Sequence, residues 1–184
     1  MHQPPRSHNE IKKLFGPGAD QILLKLIGDE KIAAQAFDHY VESQSHKASS
    51  MKVYDGMREL FNQLKTAGIP MGLVTGRHSR DLEVVLNAHQ LKDYFYVIVA
   101  DDDLREAKPS PEGLLNASFL MKLPPQSLYY VGDSKTDIQA AKKAGSHSIA
   151  ALWDKRVEKE EMRLEDPTFM AESPTDIGTF LPFR

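Results

Sequence analysis

The sequence predicts an α/β protein in which a layer of parallel strands follows a helical segment, and three observations carry that prediction. Up to about Ser50, apolar residues recur at helix spacing only. From Val53 onward, short apolar runs of strand length alternate with amphipathic stretches of helix length. Glycine, serine and proline punctuate the junctions between the two. Strands separated by helices of this length pair in parallel through right-handed crossovers, and in such sheets ligands gather at the carboxyl ends of the strands.

Taken in order, Leu14-Phe15-Gly16-Pro17-Gly18 reads as a fixed turn. A helix follows from Ala19 or Asp20, with Ile22, Leu23, Leu26 and Ile27 at helical spacing. Gly28 and Asp29 interrupt the pattern before Ile32, Ala36, Phe37, Tyr40 and Val41 repeat it. Met57, Leu60, Phe61 and Leu64 share one face of a helix that stops at Gly68, a residue type favoured just past a helix end. Ile69 to Val74 is a short buried strand, Ser79 caps a helix through Ala88, and Tyr94 to Ala100 is a second strand running into Asp101, Asp102 and Asp103. Ser110 as N-cap and Pro111 at the first helical position start a helix to Met121, which Pro124 and Pro125 end. Leu128 to Val131 is a third strand, Lys135 to Ala144 a helix closed by Gly145, and Ser148 to Leu152 a fourth strand. The charged run from Arg156 to Arg163 is a solvated helix face, Thr168 to Ala171 is strand-like, and a short helical tail lies near Asp176 to Leu181. The chain thus divides into a helical part, residues 1–50, and an α/β part, residues 51–184.

Composition bounds the function. At 184 residues, with 41% hydrophobic and 27% charged, the chain is long enough to bury a core, so it is expected to be globular. A net charge of -3 with no long basic or acidic run argues against nucleic acid and anionic membrane as partners. The absence of cysteine excludes disulfides, thiolate metal sites and cysteine nucleophiles, so any metal must be held by oxygen or imidazole. The seven histidines show no metal-ligand spacing; His78 reads as a surface or helix-start residue and Trp153 as packing. No window offers 18 uninterrupted apolar residues and the first ten residues have no apolar signal region, so a cytoplasmic location is expected.

Three stretches at strand ends can carry chemistry. In Gly132-Asp133-Ser134-Lys135-Thr136-Asp137, two carboxylates stand four apart across a strand-to-helix junction, where they suit Mg²⁺ with its octahedral oxygen shell. The same two residues also suit a helix cap and a helix-dipole partner. Thr75 and Gly76 end a buried strand with a hydroxyl and a backbone amide able to donate to a phosphoryl oxygen, or form a polar turn. Lys108, stiffened by Pro109 and Pro111 ahead of a helix start, offers a fixed point charge for a phosphate or a carboxylate, unless it is simply solvated.

Together these stretches, in this order, resemble the second, third and fourth motifs of the haloacid dehalogenase superfamily. Residues 53–184 are similar to most of its Rossmann-like core and residues 1–50 to its helical cap. The phosphoglycolate phosphatase and beta-phosphoglucomutase-like branch is the part of the superfamily most resembled, its caps carrying turns like Gly16-Pro17-Gly18. The resemblance implies Mg²⁺-dependent hydrolysis of small phosphorylated metabolites through an aspartyl-phosphate. Thr75 and Gly76 would bind the phosphoryl group and Lys108 would balance its charge. Asp133 would ligate Mg²⁺, and Asp137 would bind or orient the ion's water shell. Residues near Gly16, Gly18 and Asp20 are candidates for leaving-group contacts.

The family's first motif, Asp-x-Asp-Gly-Thr, does not occur in the chain; Asp101-Asp102-Asp103 is the one Asp-x-Asp arrangement and is followed by Leu104-Arg105. Two expectations follow. Without the nucleophilic carboxylate the chain is impaired or inactive, by about 10⁴ to 10⁶ in rate, or serves instead as a phosphate- and Mg²⁺-binding interaction module. The strand bearing that motif, central in the family's sheet, would also be absent. That would leave open edges between the strands ending at Thr75 and Asp133 and favour self-association. An amino-terminally shortened phosphatase is the expected explanation.

Overall fold

The structure, a computed structural model, describes Ser7, Glu10, Leu14 and residues 17–181. Helices α1 (Ala19–Ile27) and α2 (Glu30–Ala48) come first, then α3 (Met57–Thr66), β1 (Gly72–Val74), α4 (Ser79–Ala88) and β2 (Val97–Val99). There follow α5 (Glu112–Met121), β3 (Tyr129–Gly132), α6 (Lys135–Ala144), β4 (His147–Ala151), α7 (Lys159–Leu164), β5 (Phe169–Ala171) and α8 (Pro174–Phe180). The expected alternation and parallel pairing are present throughout residues 57–180.

Among the described residues the strands form two parallel sheets, β1 with β2 and β3 with β4 and β5. The division falls between β1 and β3, whose tips carry Thr75 and Asp133. Backbone groups of a parallel strand alternate between its two sides. The Thr75 amide bonds the Val99 carbonyl and the His147 amide bonds the Leu128 carbonyl, at 3.0 and 2.9 Å. With Gly72 opposite Val97 and Tyr129 opposite His147, these bonds turn the backbone groups of Gly72 and Val74 in β1, and of Tyr129 and Val131 in β3, toward the space between the sheets.

Helices cover both faces and hold the two sheets together. On one face Leu114 of α5 packs with Ala140, Ala141 and Ala144 of α6, against Val74 from β1 and Tyr130 from β3. Ile138, Ala150, Leu152 and Met162 continue that layer under α7. On the other face Leu60 and Leu64 of α3 and Ile177 of α8 enclose Ile149 and Ala171, with Ile69 and Met71 packed alongside. Leu82 and Leu86 of α4 cover Leu73, Ala100 and Ile98.

Two strands are shorter than their apolar runs suggest. β1 begins at Gly72 rather than Ile69: Ile69 and Met71 pack on the core beside α3 and α8, and the Met71 carbonyl accepts the Tyr96 amide at 2.8 Å before the regular ladder starts. Lys92–Tyr94 forms a 3-10 turn, so β2 begins at Val97. At α5 the first helical residue is Glu112, one later than expected, yet the Ser110 hydroxyl still accepts the Glu112 amide at 3.3 Å. The charged run forms the short helix α7, whose Met162 is buried. Gly28 closes α1 at φ 74°, a left-handed position that favours glycine, and Asp29 caps α2 by accepting the Ile32 amide at 2.9 Å. α2 packs against α1 and α4. There Phe37 is buried with its ring 4.7 Å from that of His78, and Arg80 pairs with Asp38 at 2.8 Å. Among the described residues no helix is long and apolar enough to cross a membrane.

Candidate active site

The tips of β1 and β3 and the loop before α5 meet around one lysine. Lys108 Nζ lies 2.5 Å from Asp137 Oδ1 and 3.1 Å from the Tyr130 hydroxyl. The same hydroxyl stands 3.2 Å from Asp137 Oδ1 and 3.1 Å from the carbonyl of Val74, the residue before Thr75. Side chains from residues far apart in sequence thus join β1, the lysine loop, β3 and α6 across the space between the sheets.

Local structure places Asp137. Ser134 is the N-cap of α6, and its hydroxyl and amide both bond Asp137 Oδ2, at 2.7 and 3.0 Å, in a capping box. The third helical position therefore folds this carboxylate back over the helix start and buries it at 3% exposure. Gly132 makes room, since a Cβ there would overlap the Asp137 side chain. The cap function weighed in the sequence holds, with Ser134 rather than Asp133 as the cap. Both oxygens of Asp137 already have protein partners, which leaves it poorly placed to ligate an ion directly. Asp133 is exposed at the strand tip. Its carboxyl is pushed above the usual range, first because neighbouring protein displaces water and then because the Asp137 charge is near.

Burial opposes the charge on Lys108, but Tyr130 and Asp137 outweigh it and hold the ammonium well above the ordinary lysine range. Burial likewise pushes the Tyr130 phenol up to about 12, against the pull of Lys108 and with Asp137 adding to the rise. Thr75 Oγ1 accepts the Arg77 amide at 3.2 Å, leaving its own proton to donate outward. The Gly76 amide has no hydrogen-bond partner among the described residues. A hydroxyl, an amide and an ammonium at one sheet end are donors of the kind that a tetrahedral oxyanion takes.

The aspartate triplet has other work. Asp101 is buried and accepts the Gly18 amide at 2.8 Å and Gln21 Nε2 at 2.9 Å, tying the start of α1 to the α/β part. A Cβ on Gly18 would lie 2.7 Å from Asp101 Oδ2, so this approach requires glycine. Asp102 accepts the Ser79 amide and hydroxyl, both at 2.6 Å, and Asp103 the Ala100 amide at 2.9 Å. Each of the three is engaged in holding a turn. Asp20 has a buried Oδ1 with no partner among the described residues, while Gly16 lies outside them. His78 starts α4, its Nδ1 accepting the Arg80 amide at 3.2 Å. Trp153 packs in the core beside Tyr54.

Sequence reasoning missed Tyr130 and Asp81. Tyr130 reads as one more apolar strand residue, with no local signal for its hydroxyl. Asp81 is 1% exposed and pairs with Arg77 at 2.7 Å. Its spacing of four from Arg77 is the signal that could have found it. Among the described residues no cluster of three or more His, Asp or Glu side chains could hold a metal. The donor set fits only an ion that keeps most of its water and takes Asp133 as an anchor, a mode usual for Mg²⁺.

Known proteins share this fold. The model of the haloacid dehalogenase-like hydrolases matches residues 1–151. The phosphoglycolate phosphatase of Escherichia coli strain K12 is 30% identical over 147 residues, covering 80% of this chain and 57% of the relative. That of Vibrio vulnificus is 30% identical over 176 residues, covering 89% and 76%, and that of Pseudomonas putida 28% over 161, covering 83% and 59%. The chain therefore spans less than three fifths of the length of several curated relatives. Among solved structures, a predicted phosphoglycolate phosphatase from Haemophilus somnus superimposes with a TM-score of 0.76 at 22% identity, covering 96% of this chain and 83% of that one. A Thermotoga maritima protein provisionally named a beta-phosphoglucomutase gives 0.74 at 21%, covering 96% and 85%. With the Thr75-Gly76, Lys108 and Asp133 elements at the ends of parallel strands, the chain belongs to the haloacid dehalogenase-like hydrolases, in their phosphoglycolate phosphatase and beta-phosphoglucomutase-like branch.

Proposed function

We propose that this chain carries the phosphate-binding part of a Mg²⁺-dependent phosphatase acting on small phosphorylated metabolites. The observation that supports it most is the lysine held at the junction of the two sheets, with its charge fixed by Asp137 and Tyr130 beside the Thr75 strand tip. In this reading the Thr75 hydroxyl and Gly76 amide donate to the phosphoryl oxygens, and Lys108 neutralises the negative charge that gathers there. Asp133 anchors Mg²⁺, which would supply further charge neutralisation; Asp137 contributes charge and orients the lysine. Residues 1–50 act as the cap that faces the leaving group.

The sequence lacks Asp-x-Asp-Gly-Thr, and each aspartate of the one Asp-x-Asp triplet is bound to a turn. The 184-residue chain is accordingly proposed to bind phosphate and turn over weakly or not at all. A non-catalytic phosphate-binding module is the second reading, favoured by that same lack. Calorimetric titration with inorganic phosphate and Mg²⁺, run beside hydrolysis of p-nitrophenyl phosphate, tests both. Phosphate binding abolished by Lys108→Met and Asp133→Ala supports the site. Turnover abolished by Asp133→Ala eliminates the binding-only reading, and wild-type phosphate affinity in both variants refutes the site.

A further inference from the structure

Tyr130 spans the junction between the two sheets. Its ring is packed among Leu114, Ala140, Ala141 and Ala144, and its hydroxyl reaches from β3 across to β1. A phenol has one proton to give and two lone pairs to receive. One lone pair faces the Lys108 ammonium at 3.1 Å. The proton has two acceptors in range, Asp137 Oδ1 at 3.2 Å and the Val74 carbonyl at 3.1 Å. Asp137 Oδ1 is already served by Lys108 at 2.5 Å. The Val74 carbonyl faces away from β2 and has no ladder partner on that side. A half-buried carbonyl left unpaired is costly, which favours Val74 as the acceptor.

We infer that Tyr130 is a positioning residue for phosphate binding: its hydroxyl fixes Lys108 on one side and the Val74-Thr75 strand tip on the other, setting the spacing of the two phosphate-binding groups across a junction that no backbone ladder spans. The inference rests on the reading of Lys108 and Thr75 as phosphate ligands. It adds a residue that touches neither substrate nor metal and acts through both neighbours. No other hydrogen bond in the described structure joins β1 to β3 directly, so the register of the site's two halves depends on this contact and on helix packing.

Tyr130→Phe in the full chain removes the hydroxyl and keeps the packed ring. Two readouts are taken. The first is the dissociation constant for inorganic phosphate with Mg²⁺, expected to rise about tenfold, the effect of one hydrogen bond to a charged group. The second is the ¹⁵Nζ resonance of Lys108 at a single neutral pH, whose position and proton exchange report the hydrogen bonds of the ammonium; it is expected to shift and to exchange faster in the variant, where the Asp137 bond remains and the Tyr130 bond is gone. Met162→Ala, which opens the core under α7 away from Val74 and Tyr130 and removes no hydrogen bond, controls for general destabilisation and is expected to keep phosphate affinity within about twofold. An unchanged Lys108 signal in Tyr130→Phe overturns the inference whether or not phosphate binds. So does equal weakening by Met162→Ala and Tyr130→Phe. If wild type binds no phosphate, the phosphate-site reading fails, and the lysine signal alone then decides whether Tyr130 positions Lys108.

Discussion

Replacing Asp137 by alanine removes two structures at once, and its cost can be worked from the contacts. The capping box with Ser134 is lost, which typically costs about 1 kcal/mol. The ion pair with Lys108 is lost as well, leaving an ammonium without its counter-charge in a site where Lys108 is 22% and Asp137 5% exposed. Breaking a buried pair from one side costs about 3–5 kcal/mol, and the partial exposure of the lysine places this case at the lower end, about 3. The sum, about 4 kcal/mol, is a large share of the 5–15 kcal/mol by which a typical domain is stable. Asp137→Asn separates the two parts, because an amide oxygen still caps the helix while the charge is gone, so it should cost about 3 kcal/mol. Lys108→Met combined with Asp137→Asn should recover most of that, the unpaired charge having been removed. Urea unfolding at pH 7, with slopes compared to ensure that the midpoints report stability, measures all four proteins. If Asp137→Asn unfolds within about 0.5 kcal/mol of wild type, the Lys108 charge is solvated and the reasoning about a buried pair is wrong.

Three further outcomes follow from the same contacts. Gly132→Ala places a methyl group on the Asp137 side chain and should cost about 1–3 kcal/mol by overpacking; a midpoint equal to wild type would show that Asp137 can move aside. The backbone parity of β1 and β3 predicts that the amides of Leu73, Thr75 and Tyr130 exchange slowly with deuterium while those of Gly72, Tyr129 and Val131 exchange fast, and equal protection of both sets would mean the inner edges are paired in solution. Burial holds the Asp101 carboxyl above its usual range despite the Gly18 amide. The folded state therefore binds this proton more tightly than the unfolded chain. This group's contribution makes the protein more stable as pH falls from the raised value toward about 3.9. Asp101→Asn, which can still accept from Gly18 and Gln21, should flatten that slope in urea titrations between pH 4 and 7, and an unchanged slope would show that Asp101 ionises normally.

What could be read from the chain itself is what lies within a turn or two of each residue. Apolar spacing placed all five strands and the helices, Gly28 and Gly145 sit just past helix ends in left-handed geometry, and Ser134-Lys135-Thr136-Asp137 is a helix start in sequence and in structure. The candidate residues are visible this way too, because Thr75-Gly76, Lys108-Pro109 and Gly132-Asp133 each lie near a strand end or a helix start. Strand limits were less legible. Ile69 and Met71 are apolar because α3 and α8 bury them, and hydrophobicity reports burial without saying whether a backbone ladder accompanies it.

The tertiary structure alone decided how those pieces act on one another. Tyr130 meets Lys108 across 22 residues and Val74 across 56, and Asp101 meets Gly18 across 83. No periodicity links positions so far apart, since nothing local depends on the pairing. The same holds for Asp137. Its spacing from Asp133 suggested two carboxylates converging on one ion, whereas its position at the third residue of α6 turns it back onto Ser134 and Lys108. The sequence by itself determined the order of elements, which local propensity and burial set, and the residue types at each strand tip, whose order along the chain carries the resemblance to the family. Which carboxylate stays open to solvent, which is bound by the lysine, and how the two sheets are tied together were decided by packing, where the distances between remote side chains are set.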